Sequence, residues 1–197
     1  MDVRWIWVRH GETEDNRSHR YLGHYDAPLN ERGKEQALAV ADQLKNESIT
    51  YIYTSDLLRC KETAHIIAQP QGMTVVETAA LRELNFGRWD RKTYEEIMQA
   101  NKSLAEKWYN NPYDVTPPEG ESLAKLGDRV GRWLSDLEKR MLPTETAVLV
   151  THGGPIRWFL AARISGNPDA FWSVRGPGTG DILITEKYGQ TWRSSSS

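Results

Sequence analysis

The 197-residue sequence has a single cysteine, Cys60. An internal disulfide is therefore excluded and a thiolate metal cluster is not expected. No run approaches the roughly 20 apolar residues of a membrane-spanning helix. The first residues do not read as a secretory leader, because no long apolar stretch leads to a cleavage site. Lysine plus arginine number 25 against 27 aspartates plus glutamates, a net charge of −2. That balance supplies no basic field for nucleic acid or an anionic membrane. The expectation is a cytoplasmic protein with no membrane or nucleic-acid partner; oligomeric state is not legible. No His-Glu-x-x-His motif or carboxylate cluster points to a metal, and no cofactor is expected.

What is present fits one domain over residues 1–193, with Ser194 to Ser197 as a disordered tail. Trp5-Ile6-Trp7-Val8 is apolar without alternation, as in a strand covered on both faces, so residues 3–8 are expected as a strand. Residues 11–29 have no helical period and read as a long loop. Asn30 can cap a helix over about 31–46, with Ala37, Leu38, Ala41 and Leu44 buried. Tyr51-Ile52-Tyr53 is a second strand. Thr54 or Ser55 is expected to cap the following helix, whose buried stripe is Cys60, Ala64 and Ile67. Thr74-Val75-Val76 is a third strand.

Strand and helix alternate to this point, which argues for a parallel sheet. Residues 81–120, broken by Asn110-Asn111-Pro112 and Thr116-Pro117-Pro118, read as an excursion over one end of the sheet. A helix over about 119–141 follows, then a buried strand Ala147 to Val150, a helix opening at Pro155, and a last strand Ile182 to Thr185.

Two of these strands end alike. Val8 leads into Arg9-His10-Gly11, and Val150 into Thr151-His152-Gly153-Gly154. Ligands of open α/β sheets bind beyond the carboxyl ends of strands, and glycine lets backbone approach them. If the strands are neighbours, the imidazoles converge. Arg59, in about the first turn of its helix, opposes the helix dipole but suits a phosphate held at that helix start. Glu83 lies between Leu81 and Leu84, with Phe86 and Trp89 near, an apolar setting that would favour its protonated form.

Together these residues suit phosphoryl transfer. A neutral imidazole can attack phosphorus in line, while cations stabilise the equatorial oxygens. Arg9, Arg59 and a protonated His152 would supply that charge, and Glu83 would serve as acid, then base.

Each residue also has a plainer reading. His10 or His152 alone could be a satisfied loop histidine, Arg59 a surface cation, and Glu12 or Glu14 could be the acid instead of Glu83. Asn16 could simply hold its loop, and His24 could be solvated. Trp108, Phe171 and Trp172 read as core before substrate contacts. Cys60 reads as core, since the phosphatase spacing from Cys to Arg five residues on meets His65.

The residues match a family in order. The set comprises Arg9-His10-Gly11-Glu12-Thr13 with Asn16; Gly23, Asp26, Pro28, Leu29 and Gly33; Ser55 to Arg59 with Thr63-Ala64; Leu81, Glu83, Phe86-Gly87 and Trp89; Glu119 to Ser122; and Val150 to Gly154. In this the chain resembles the histidine phosphatase superfamily, which is phosphoglycerate-mutase-like in fold. The resemblance implies a three-layer α/β/α fold with a mixed, mostly parallel sheet and a small helical cap. It implies His10 as the phosphorylated nucleophile and Glu83 as acid/base. It also implies a phosphate pocket of Arg9, Asn16, Gly23, Arg59, His152 and Gly153, with no metal.

Glu83-Leu84-Asn85-Phe86-Gly87 stands where the mutases look like Glu-Arg-His-Tyr-Gly, so the chain looks like a phosphatase. The segments around Leu84 to Trp89, Trp108 and Phe171-Trp172 are similar to α-ribazole phosphatases of cobalamin nucleotide-loop assembly. They are also similar to broad-specificity phosphatases. α-Ribazole 5′-phosphate is thus the first substrate expected, then other small phosphoesters, then a mutase reaction; a non-catalytic phospholigand-binding regulator is the alternative from another class. Asp90-Arg91 departs from the Glu-Gly of many members, near the expected substrate mouth.

Overall fold

The computed structural model describes residues 2–195. Six strands, β1 (Val3–Arg9), β2 (Tyr51–Ser55), β3 (Val75–Thr78), β4 (Thr146–Thr151), β5 (Ile182–Tyr188) and β6 (Thr191–Ser195), form one sheet in the order β3-β2-β4-β1-β5-β6. The first four are mutually parallel where they pair, and β5 and β6 run antiparallel. The fold is the expected mixed, mostly parallel α/β/α sandwich. Consecutive β1 and β2 are not neighbours, because β4 is inserted between them.

Side chains of successive strand residues point to opposite faces. Ile6, Val8, Val148 and Val150 therefore pack with Val40, Ala41 and Leu44 of α2 (Glu31–Leu44) and with Cys60, Ala64 and Ile67 of α3 (Leu58–Ala68). Trp5, Trp7, Ala147 and Leu149 face the other way. There they meet Leu126, Val130 and Leu134 of α5 (Leu123–Arg140) and Ile156 and Phe159 of α6 (Gly153–Phe159). Both faces of the central strands are buried, hence the unbroken apolar runs in their sequences.

Several expectations change. The loop after β1 contains a single helical turn, α1 (Glu14–Arg17), whose capping box joins Thr13 and Asn16. Leu38 is 61% exposed; the buried stripe of α2 is Ala37, Val40, Ala41 and Leu44. Neither Thr54 nor Ser55 caps α3, because β2 continues through Ser55 to pair with Thr78. The α3 start instead receives Asp26, whose Oδ1 accepts from the Leu58 amide at 2.6 Å. The α5 helix begins at Leu123 behind the Ser122 cap, and α6 begins at Gly153, ahead of Pro155. Ser194 and Ser195 are no tail: they extend β6 against Thr185 and Ile184. Ser196 and Ser197 lie outside the described residues.

The excursion forms one helix kinked at Asn101, α4 (Tyr94–Asn110), which lays Ile97, Ala105 and Trp108 into the core. Among the described residues, no helix is long and apolar enough to cross a membrane.

The loop leaving β1 is fixed by backbone crossing backbone. A Cβ on Gly33 would sit 2.2 Å from the Glu12 carbonyl oxygen, and one on Gly11 would sit 2.3 Å from the Gly33 carbonyl oxygen. No side-chain rotation relieves either clash. Gly33→Ala should therefore cost about 1–3 kcal/mol of stability, read as a lower urea midpoint. An unchanged midpoint would show that this crossing is not rigid.

Candidate active site

The pairing of β1 with β4 sets Val8 beside Val150 and Arg9 beside Thr151. The His10 amide then donates to the Thr151 carbonyl at 3.0 Å. The two rings that follow lie 5.1 Å apart, centroid to centroid, at an interplanar angle of 62°. The convergence expected from the two similar strand ends is present, for the reason given: the strands are neighbours.

Both histidines are buried, His10 at 3% and His152 at 0% exposure. His10 Nδ1 lies 2.7 Å from the Gly11 carbonyl oxygen. A carbonyl can only accept, so Nδ1 carries the proton. In the neutral ring the lone pair is then on Nε2. Burial first, then the charges of Arg59 and Arg9, holds His10 well below the usual imidazole range. Burial, with Arg59, His10 and Arg9, does the same to His152. His152 is therefore neutral here, not the cation expected. It shares a hydrogen bond with the Ser55 hydroxyl at 2.9 Å, and its Nε2 lies 3.3 Å from Cys60 Sγ. Cys60 is fully buried, as expected of core, and burial pushes its thiol up.

Arg9 reaches forward from the strand end and donates to the Pro177 carbonyl at 3.1 Å, while its Nε is buried without a partner. Desolvation lowers its pKa, an effect Glu83 offsets and Arg157 reinforces. Arg59 is fully buried, not a surface cation. Its guanidinium donates to the carbonyls of Gly23 at 2.7 Å and Tyr25 at 3.0 Å, leaving Nε without a partner. Those carbonyls are aligned from behind: Asp90 accepts from the Gly23 and Tyr25 amides, each at 2.8 Å. Arg91 stacks on the Tyr25 ring at 4.2 Å and pairs with Asp15 at 3.0 Å. The Asp90-Arg91 departure thus braces the loop that holds Arg59.

Glu83 is half-buried, but its carboxylate does not rest on an apolar wall. It accepts from the amides of Leu84 at 2.7 Å and Gly154 at 3.0 Å. A Cβ on Gly154 would meet Glu83 Oε1 at 1.9 Å, so only glycine admits this contact. His24 is half-buried rather than solvated, with Nε2 2.9 Å from the Glu83 carbonyl oxygen.

A cavity of about 220 Å³ opens over these groups. Arg9, His10, Asn16, Glu83 and Gly153 line it, whereas His152, Arg59 and Gly23 are not among the described residues that line it. Asn16 does both things weighed for it: it lines the cavity, and its Oδ1 accepts from the Thr13 amide at 3.1 Å. Trp108, Phe171 and Trp172 also serve twice. Trp108 and Phe171 are buried, Trp172 is 41% exposed, and all three face the cavity. Arg20, Tyr21 and Arg157 line it too and escaped the sequence reading. The only signal for Arg157 was its place one helical turn beyond Gly153.

Paired imidazoles over arginines, at the carboxyl ends of adjacent parallel strands, define the class as a phosphatase of the histidine type. A family model for the histidine phosphatase superfamily (branch 1) matches residues 5–196, and the chain belongs to that superfamily. Phosphoserine phosphatase 1 of Hydrogenobacter thermophilus is 36% identical over 171 residues, 87% of this chain and 81% of that protein. The probable phosphoglycerate mutase GpmB of Escherichia coli is 39% identical over 168 residues, 85% of this chain and 76% of that protein. The solved α-ribazole phosphatase of Shigella flexneri superposes with a TM-score of 0.89 at 26% identity, covering 98% of this chain and 95% of that one.

The depressed imidazoles predict an acid-sensitive fold. A histidine whose folded pKa lies below its unfolded value of about 6.5 contributes stability that is complete above that value. The contribution declines as pH falls below it, by up to about 1.4 kcal/mol per pH unit for each histidine. Urea stability at pH 5 should therefore be lower than at pH 7.5, and His152→Gln should flatten the difference. Equal stability at both pH values would contradict the depressed pKa values.

Proposed function

We propose that the protein hydrolyses small phosphomonoesters through a phosphohistidine on His10. The observation that carries this is the bond fixing Nδ1–H on the Gly11 carbonyl, which leaves a lone pair on Nε2 of a ring that lines the cavity together with Arg9. Nε2 attacks phosphorus, forming the N–P bond as the P–O bond to the leaving group breaks. Glu83 gives its proton to the departing oxygen. It then takes a proton from water, which attacks phosphorus and breaks the N–P bond, returning His10 and inorganic phosphate.

Arg9, with Asn16 at the cavity wall, holds the phosphoryl oxygens. Arg59 and His152 bound the pocket from behind, and Gly23 and Gly153 let backbone approach. A dianion beside His152 counters the charges of Arg59 and Arg9 that add to the effect of burial, so His152 gains its proton with the substrate.

For the leaving group, α-ribazole 5′-phosphate is the narrower reading. The aromatic wall of Trp108, Phe171 and Trp172 supports it, since a flat base packs well on such rings. The named structural neighbour supports it at 26% identity only. A broad-specificity phosphatase is the second reading, favoured by the differing names of the relatives. Cobalamin assembly follows only with the first, whereas a cytoplasmic location is proposed with either.

The test is hydrolysis of p-nitrophenyl phosphate, and turnover in excess chelator is expected to be unchanged because every proposed step uses side chains. His10→Ala should lose at least about a thousandfold in kcat, since no other group can form the intermediate. Wild-type turnover by that variant would remove the nucleophile. Glu83→Gln should slow alkyl phosphates by about 10²- to 10⁴-fold and aryl phosphates much less. Equal slowing across leaving groups would exclude its role as acid. A kinetic screen of phosphorylated metabolites including α-ribazole 5′-phosphate decides the substrate, and dependence on a bisphosphate primer would point to a mutase.

A further inference from the structure

Two cations that line the cavity have no part in the proposed chemistry, Arg20 and Arg157. Arg157, on α6, lines it beside Phe171 and Trp172. Arg20 has an acidic partner, Glu96 at 2.8 Å, as does half-buried Arg82, 2.6 Å from Asp56. Arg157 has the Phe171 ring at 5.5 Å, and its Nε is buried without a hydrogen-bond partner.

It also repels Arg9 across the same space. Among the described residues that line the cavity, Glu83 is the only acidic one, and its carboxylate is already held by two amides. A desolvated, unpaired guanidinium is costly, and an anion that enters the cavity relieves the cost. The planar guanidinium suits a carboxylate, which can accept two hydrogen bonds from it.

The position of Arg157 decides which part of a ligand it meets. Arg9 and His10 mark the phosphoryl end at the strand termini, whereas Arg157 lies against the aromatic wall. We infer that Arg157 anchors a carboxylate on the organic part of the substrate, so that the preferred substrates are phosphomonoesters of small hydroxy or amino acids. This rests on the phosphoesterase reading above, and it favours such esters over an uncharged nucleoside phosphate such as α-ribazole 5′-phosphate. Arg157 is then a specificity residue: the transferred phosphoryl group does not touch it.

A matched pair isolates the contact. 3-Phosphoglycerate and glycerol 3-phosphate differ by a carboxylate in place of a hydroxymethyl group. Their dissociation constants are measured by calorimetry on the His10→Ala protein, where the proposed chemistry is blocked, alongside inorganic phosphate. The expected result is at least about tenfold tighter binding of the carboxylate ester, from charge-assisted hydrogen bonds. Adding Arg157→Gln should abolish that preference and leave inorganic phosphate unchanged, while Arg157→Lys should restore part of it. Equal binding of the pair, binding of neither, a preference that survives Arg157→Gln, or an equal loss of inorganic phosphate binding would each overturn the assignment. Failure of the phosphoesterase reading shows separately, as wild-type protein that binds the esters and hydrolyses none.

Discussion

The site depends on one pairing, that of β1 with β4. A parallel ladder fixes register residue by residue, so Val8 beside Val150 leaves no freedom in where the chain emerges on either side. His10 and His152 follow at the same level, and the His10 amide is still part of the ladder through Thr151. A slip of one residue in either strand would turn its imidazole to the opposite face. The apolar runs that precede both histidines are therefore part of the site, because their burial between two helical layers holds the register.

Burial then sets the electrostatics. Two arginines and two imidazoles share a desolvated space, and the arginines keep their charge because their pKa values begin so high. The imidazoles yield and stay neutral. Arg59 is tolerated there because the loop turns its carbonyls inward, and that geometry is imposed by the Asp90 carboxylate on the loop's amides. The chain of contacts runs from the Asp90 carboxylate, through the loop of Gly23 and Tyr25, to the buried Arg59 guanidinium. A residue pair that looked peripheral in sequence thus supports the centre.

The legible parts of the sequence were those whose signal is local and complete. Strands β1 and β4 announce themselves by apolar runs with no alternation, and the repeated His-Gly endings mark their shared end. Strand β6 was hidden because Thr191-Trp192-Arg193 is held by backbone pairing to β5, with Trp192 buried among polar neighbours. Leu38 was misplaced because Ala37 and Leu38 are adjacent, and residues one apart on a helix diverge by about 100°. The spacing Ala37, Val40, Ala41, Leu44 is the true stripe. Of the site, His10, His152, Arg9 and Glu83 could be read because they adjoin strand ends or family motifs. The neutral state of His152 and the amide cradle of Glu83 could not, since both arise from groups distant in sequence.

The division of the cavity follows from the same distinction. Its floor is made by strand ends, where register and burial leave little room for variation. Its wall is made by α4, the Phe171-Trp172 turn and the second turn of α6, segments that pack on the sheet without belonging to it. Side chains there can change without disturbing the ladder. Chemistry that needs in-line attack on phosphorus belongs on the rigid floor, and choice among leaving groups belongs on the wall. Arg157 joins the two: its backbone belongs to the helix that starts at Gly153, while its guanidinium lies in the aromatic wall.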